Sequence, residues 1–167
     1  IAGTPAEVAE ALRGYFPGHS PGELIDLLNE EAERAPQAEA VSLAPYLSDL
    51  RARGLRLGVA TNDAETPARV HLEAAGVLEL FDFVAGFDSG FGAKPGPGPL
   101  LAFAAHVEAD PARVVMVGDS THDLAAGRAA GMQTVGVLTG LAARETLAPL
   151  ADAVLPDIGH LPAWLAG

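Results

Sequence analysis

Three short stretches of this 167-residue chain gather side chains suited to an anionic oxygen group: Thr61, Asn62 and Asp63 in VATND, Lys94 in GAKPGPGP, and Asp119, Ser120, His122 and Asp123 in GDSTHD. Lys94 is the only lysine, set against nine arginines. A compact ammonium on a flexible stem suits a point contact to a phosphate, where a planar guanidinium fits less well. Asp119 and Asp123 stand four apart where an apolar stretch gives way to a helix, so both carboxylates can face one side of the turn. Hard oxygen donors of this kind suit Mg2+, which would also help an acidic protein hold a phosphate. A hydroxyl at Thr61 and the N–H beside it at Asn62 could hold a phosphoryl oxygen. Each residue also has a plain structural reading: Thr61 or an aspartate as a helix N-cap, Lys94 as a surface lysine.

Other chemistries fail on spacing. Ser120 and His122 are two apart and lie outside any Gly-x-Ser-x-Gly turn, which argues against a serine triad. Pro95 follows Lys94 where a Walker loop needs serine or threonine. The five histidines show no paired ligand spacing, and His122 alone falls near the other candidate residues. With no cysteine there is neither a thiolate nucleophile nor a disulfide framework.

These residues need a scaffold, and the apolar pattern supplies one. Leu55–Thr61, Phe83–Phe87, Val114–Val117 and Thr134–Leu138 read as strands. Helices are expected from about Thr66 to Gly76, over Gly98–Val107 and over His122–Ala130, and the tail repeats the unit weakly. Alternating strands and helices, with strands apolar on both faces, predict a doubly wound parallel α/β sheet. Ligands bind such sheets at the carboxyl ends of the strands, and all three stretches fall there.

Ahead of this rhythm, Thr4-Pro5-x-Glu7 and Ser20-Pro21-x-Glu23 each announce a helix with a capping box. The first is expected to carry Val8, Leu12, Tyr15 and Phe16 on one side, the second Leu24, Ile25, Leu27 and Leu28. A polar linker over Pro36–Ala40 separates this hairpin from a helix bearing Leu43, Tyr46, Leu47 and Leu50, stopped by Gly54. Trp164, with Leu161 and Leu165, reads as a terminal helix packed on the sheet.

Composition narrows the partners. Half the residues are hydrophobic (49%) and 19% are charged, which fits one globular domain. With 22 acidic against 10 basic side chains the net charge is −12, which opposes binding to a nucleic acid or an anionic membrane. No apolar run approaches the roughly 20 residues of a membrane span. The expected partner is a small phosphorylated molecule, the expected location the cytoplasm, and the expected state a monomer or homodimer.

VATN, GAKPGP and GDSTHD, in that order and spacing, resemble motifs two, three and four of the haloacid dehalogenase superfamily. The stretches AAGRAAGMQTVGVLTG and ETLAPLADAVLPDIGHLPAWL are similar to the phosphoglycolate phosphatase-like branch. The resemblance implies that Thr61, Asn62 and Lys94 bind the transferred phosphoryl group, that Asp119 ligates Mg2+, and that Asp123 supports the lysine or a metal-bound water. It implies a Rossmann-like core over 41–167, with 1–40 the remnant of a helical cap. The implied activity is Mg2+-dependent hydrolysis of a small phosphomonoester through an aspartyl-phosphate. The first motif, an Asp-x-Asp pair on a strand in the middle of the sheet, has no match, since no aspartate precedes Asp26. We therefore expect that strand upstream of Ile1 or on a separate segment, its absence leaving open sheet edges. The alternatives are a non-catalytic phosphate-binding or interaction domain, if the polypeptide starts at Ile1, and a sugar phosphomutase, which the sparse cap cations Arg13, His19 and Arg34 disfavour.

Overall fold

The computed structural model describes residues 4–34 and 39–167; the first half of the linker expected around Pro36 lies outside the described residues. Both capping boxes form. The Thr4 hydroxyl accepts from Glu7 N while Glu7 Oε2 accepts from Thr4 N at 2.7 Å, opening α1 (Pro5–Leu12). Ser20 and Glu23 repeat the exchange at the head of α2 (Pro21–Arg34). Tyr15 and Phe16 do not share the face of α1 as expected. The helix ends at Leu12, and Tyr15 is left 81% exposed in the turn beyond it. Gly14 and Pro17 explain the early stop, since neither favours another helical turn.

Next come α3 (Leu43–Ala52), β1 (Gly58–Ala60), α4 (Glu65–Ala74), β2 (Phe83–Ala85) and α5 (Gly98–His106). The remainder is β3 (Val115–Gly118), α6 (Thr121–Ala129), β4 (Gln133–Val137), α7 (Arg144–Leu147), β5 (Ala153–Leu155) and α8 (Leu161–Ala166). Every strand pair is parallel, as the alternation requires. Gly54 and Gly131 end α3 and α6 with φ of 83° and 74°, the left-handed turn that glycine adopts without strain.

The strands form two sheets, β1–β2 and β3–β4–β5. Among the described residues, each of β1 and β3 has one strand partner and one open edge, and both line a cleft of about 880 Å³. Most of its wall is apolar, from Leu57 and Val59 on one side to Val115 and Val117 on the other. The expectation of strands buried on both faces therefore needs correction at these two. β1 and β3 are partly exposed, whereas four of the five β4 residues are buried. The expected Leu55–Thr61 strand also shortens to three residues, because only β2 lies alongside to hydrogen-bond it. Leu161 is buried, but Leu165, expected to pack on the sheet, is 41% exposed and borders the cleft.

One apolar cluster, Leu100, Ala104, Ala126, Ala130 and Met132, packs α5 and α6 against the sheet; another, Leu47, Leu50 and Val77, seats α3. Two carboxylates pin the sheets to their flanks. Asp82 Oδ2 accepts from Arg51 Nη1 at 2.6 Å and from Leu57 N at 2.9 Å. Asp152 accepts from Thr134 N and Arg128 Nη2, both at 2.8 Å. Burial pushes the Asp82 carboxyl up, but the hydrogen bonds from Arg51 and Leu57 and the charges of Arg51 and Arg56 outweigh it and hold it below the usual range. The Thr134 N–H, opposed by burial and aided by Arg128, does the same for Asp152.

A group with a depressed folded pKa contributes stability above its unfolded pKa and loses it as pH falls through the folded value. The melting temperature should therefore hold from pH 7 to 5 and fall below about pH 4, where unfolded carboxylates titrate. In thermal melts across that range, the deficit of Asp82→Ala relative to the wild type should shrink as the pH drops.

Candidate active site

The carboxyl ends of β1 and β3 meet around Lys94. Its Nζ donates to the Ala60 carbonyl at 2.5 Å and to Asp123 Oδ1 at 2.6 Å. The Lys94 and Asp123 side chains are each only 9% exposed. At this burial the pair is screened far less than a surface ion pair, and either partner left alone would be costly. One ammonium thus bridges the β1 sheet to the helix that follows β3.

Asp123 holds its position through the start of α6. Ser120 is the N-cap; its hydroxyl donates to Asp123 Oδ2 at 2.7 Å, Ser120 N donates to the same oxygen at 3.1 Å, and Asp123 N donates back to the hydroxyl. Both carboxylate oxygens of Asp123 are engaged. The four-residue spacing lets both carboxylates face one side of the turn, but the structure turns them apart: Asp123 faces the lysine, while Asp119 is exposed and has no hydrogen-bond partner among the described residues.

Asp119 instead lies against Gly140, in the loop after β4. A Cβ at Gly140 would collide with the Asp119 carboxylate, meeting its Cγ at 2.5 Å and its Cβ at 2.7 Å. Among the described residues, no three His, Cys, Asp or Glu side chains cluster tightly enough to cage a metal. A single exposed carboxylate is a donor set that fits Mg2+, which takes one or two carboxylates and completes its shell with water and phosphate oxygens. Gly140→Ala should displace that carboxylate and weaken Mn2+ binding, read by titration calorimetry, about tenfold or more, while Tm falls by only a few degrees.

Thr61 is not a helix cap. The N-cap of α4 is Ala64, which has no side-chain bond to offer, and Asp88 reaches across from the β2 loop to accept from Glu65 N at 2.9 Å. The Thr61 hydroxyl instead accepts from Asp63 N at 3.0 Å, and Thr61 N donates to Ala85 O at 2.9 Å, extending the β1–β2 ladder. The Asn62 carboxamide is turned toward the Lys94 loop, with both its polar ends bonded to the Lys94 main chain. The same loop is braced by Ser89, which accepts from Gly86 N at 2.9 Å and donates to Glu65 Oε2 at 2.5 Å. Those bonds from Ser89 and then Arg69 lower the Glu65 carboxyl. His122, on the first turn of α6, has a buried Nδ1 without a hydrogen-bond partner among the described residues.

Sequence reasoning missed Gly140, the capping role of Ser120 and the Glu65–Ser89–Asp88 brace. Ser120 was recoverable, since Ser-x-x-Asp at a helix start is a capping box. Gly140 carries no comparable local signal, because its partner lies 21 residues away on another strand end.

Residues 17–137 match the family model described as haloacid dehalogenase-like hydrolase. The chain belongs to this family. It is 42% identical over 120 residues to a phosphoglycolate phosphatase of Rhodospirillum rubrum, covering 71% of this chain and 49% of that protein. It is 38% identical to the probable phosphatase IndB of Dickeya dadantii, covering 74% and 54%. The matched part of the chain thus spans about half the length of these relatives. Among solved structures, a putative haloacid dehalogenase-like hydrolase from Bacteroides fragilis superposes with a TM-score of 0.83 at 23% identity, over 96% of this chain and 79% of that one. A HAD family hydrolase from Deinococcus radiodurans, with bound phosphate and sodium, gives 0.72 at 28% identity, over 95% and 73%. The α/β fold with parallel strands is the one these hydrolases share.

Proposed function

We propose that this chain is the phosphate- and metal-binding part of a Mg2+-dependent phosphatase acting on small phosphomonoesters of the phosphoglycolate kind. The observation that carries this reading is the Lys94 ammonium, held between Ala60 O and Asp123 where the two sheets meet, with the Asp119 carboxylate unengaged on the same rim. In this reading Lys94, the Thr61 hydroxyl and the Asn62 main chain hold the phosphoryl group, and Asp119 holds the metal. Asp123 keeps the lysine in place. Mg2+, when bound, would neutralise charge on the phosphoryl oxygens. Residues 41–167 form the core, and residues 1–40 belong to a cap over the substrate.

The nucleophile is proposed to lie upstream of this chain, on a strand that pairs with β1 and β3 and fills the cleft. Its aspartate oxygen would bond to phosphorus as the ester oxygen departs and takes a proton; water would then release phosphate and restore the carboxylate. The open edges of β1 and β3 support this placement. So does the engagement of Asp123, the carboxylate bonded to the Lys94 ammonium. For the 167-residue chain alone, the same geometry favours a second reading: it binds phosphate without turning it over.

The test is inorganic phosphate release from 2-phosphoglycolate and a panel of phosphomonoesters by the full-length protein, with Mg2+ and after chelation. We expect Mg2+-dependent release that chelation abolishes. Binding of phosphate with no release from any ester would overturn the catalytic reading in favour of the binding domain.

A further inference from the structure

The stretch Ala60–Asn62 holds Lys94 at both ends. Ala60 O receives the ammonium, while two residues later Asn62 Oδ1 accepts from Lys94 N at 2.9 Å and Asn62 Nδ2 donates to Lys94 O at 2.9 Å. A carboxamide is suited to this double contact, since it carries one acceptor and one donor side by side. A lysine stem is flexible and rotamer-rich, so the two bonds at Nζ fix its tip but not the main chain from which it reaches.

We propose that Asn62 is a positioning residue for the Lys94 ammonium. By fixing the lysine main chain against the end of β1, it brings Nζ to the mouth of the cleft in one conformation. The carboxamide acts through Lys94 and makes no contact of its own with the phosphoryl group. This rests on the reading of Lys94 as the phosphoryl-binding cation, and it separates two jobs within Thr61–Asn62: contact with the anion, and placement of the cation that meets it.

Because Lys94 is the only lysine, its amine can be followed by itself. Competitive acetylation of the 167-residue chain, read by peptide mass spectrometry against the N-terminal amine, reports how tightly Nζ is held, and inorganic phosphate is the probe ligand. In Asn62→Ala, Lys94 should be acetylated about tenfold faster than in the wild type, the order expected when two hydrogen bonds that close a conformer are lost. Phosphate should protect it less, and Tm should fall by only a few degrees. Asn62→Asp keeps an acceptor for Lys94 N but loses the donor to Lys94 O, so it should also label faster than the wild type; it serves if the alanine variant does not fold. Asp82→Ala, which removes a remote anchor, should label at the wild-type rate, so that general loosening is told apart from loss of position. Wild-type labelling and protection in a folded Asn62 variant would overturn the proposal. If phosphate fails to protect Lys94 even in the wild type, the phosphoryl-binding reading fails instead, while the comparison of labelling rates still decides the role of Asn62.

Discussion

Lys94→Met is expected to abolish phosphatase turnover in the full-length protein and to destabilise the fold at the same time. Methionine keeps the apolar stem and removes the ammonium with its charge and its N–H donors, so the Asp123 carboxylate stays buried without its cation. Breaking a buried pair from one side costs about 3–5 kcal/mol. The cost should fall near the lower end, because Ser120 still donates twice to Asp123 Oδ2. For a chain of this size that corresponds to a Tm lowered by about 6–12 °C. Removing a preorganised donor from developing phosphoryl charge costs on the order of 10²–10³-fold in rate, so turnover should fall at least that far at temperatures where the variant is folded. Stopped-time phosphate release together with thermal melts measures both. A variant that melts early but retains turnover would leave Lys94 a structural residue only.

The contacts of Lys94 join a local part of this site to a distant one. Helix starts were legible because their signals are short-range: Ser20-x-x-Glu23 and Thr4-x-x-Glu7 close on themselves within one turn. The order of α/β units was legible for the same reason, each being an apolar run closed by a turn. Partner choice was not legible in the spacing; the pairing of Asp123 with the lysine was implied by the family resemblance alone. Four-residue spacing allowed Asp119 and Asp123 to face one way, but Ser120 and Lys94 claim both oxygens of Asp123 and leave Asp119 to the Gly140 loop. Spacing also allowed Thr61 to cap a helix, but Asp88 takes that role from a loop more than twenty residues away. β1 is shorter than its apolar run predicts because periodicity reports burial, while ladder length depends on which strands lie alongside. Leu55 and Leu57 are apolar, yet the paired register begins only at Gly58.

Two sheets that each end in an open edge, with an apolar cleft between them, leave Lys94 an unusual share of the burden of holding the rim together. Its ammonium is a charged link from the β1 end to α6, alongside the apolar packing of α5 against β1 and α6. Changes that unseat Asp123 should therefore mimic changes at Lys94 itself, even when they touch neither side chain's charge.

Gly118→Ala is the sharpest such change. Gly118 closes β3, and a Cβ there would run into the Asp123 side chain, meeting Cγ at 2.5 Å and Oδ2 at 2.6 Å. The obstacle is the root of the side chain as well as its tip, so a rotamer change alone cannot clear it; either α6 shifts or Asp123 leaves the lysine. Overpacking of this kind costs about 1–3 kcal/mol, and loss of the buried pair adds to it. We expect Gly118→Ala to lose phosphate affinity at least tenfold and to fold less stably than the wild type by about 3 kcal/mol or more. A double-mutant cycle isolates the cause. If Gly118→Ala acts by unseating Asp123, its cost in the Lys94→Met background should be smaller than in the wild type by about 1–3 kcal/mol, the coupling typical of residues that share a partner. Strict additivity would mean that the added methyl merely strains β3 against α6, and that the Lys94–Asp123 pair survives it.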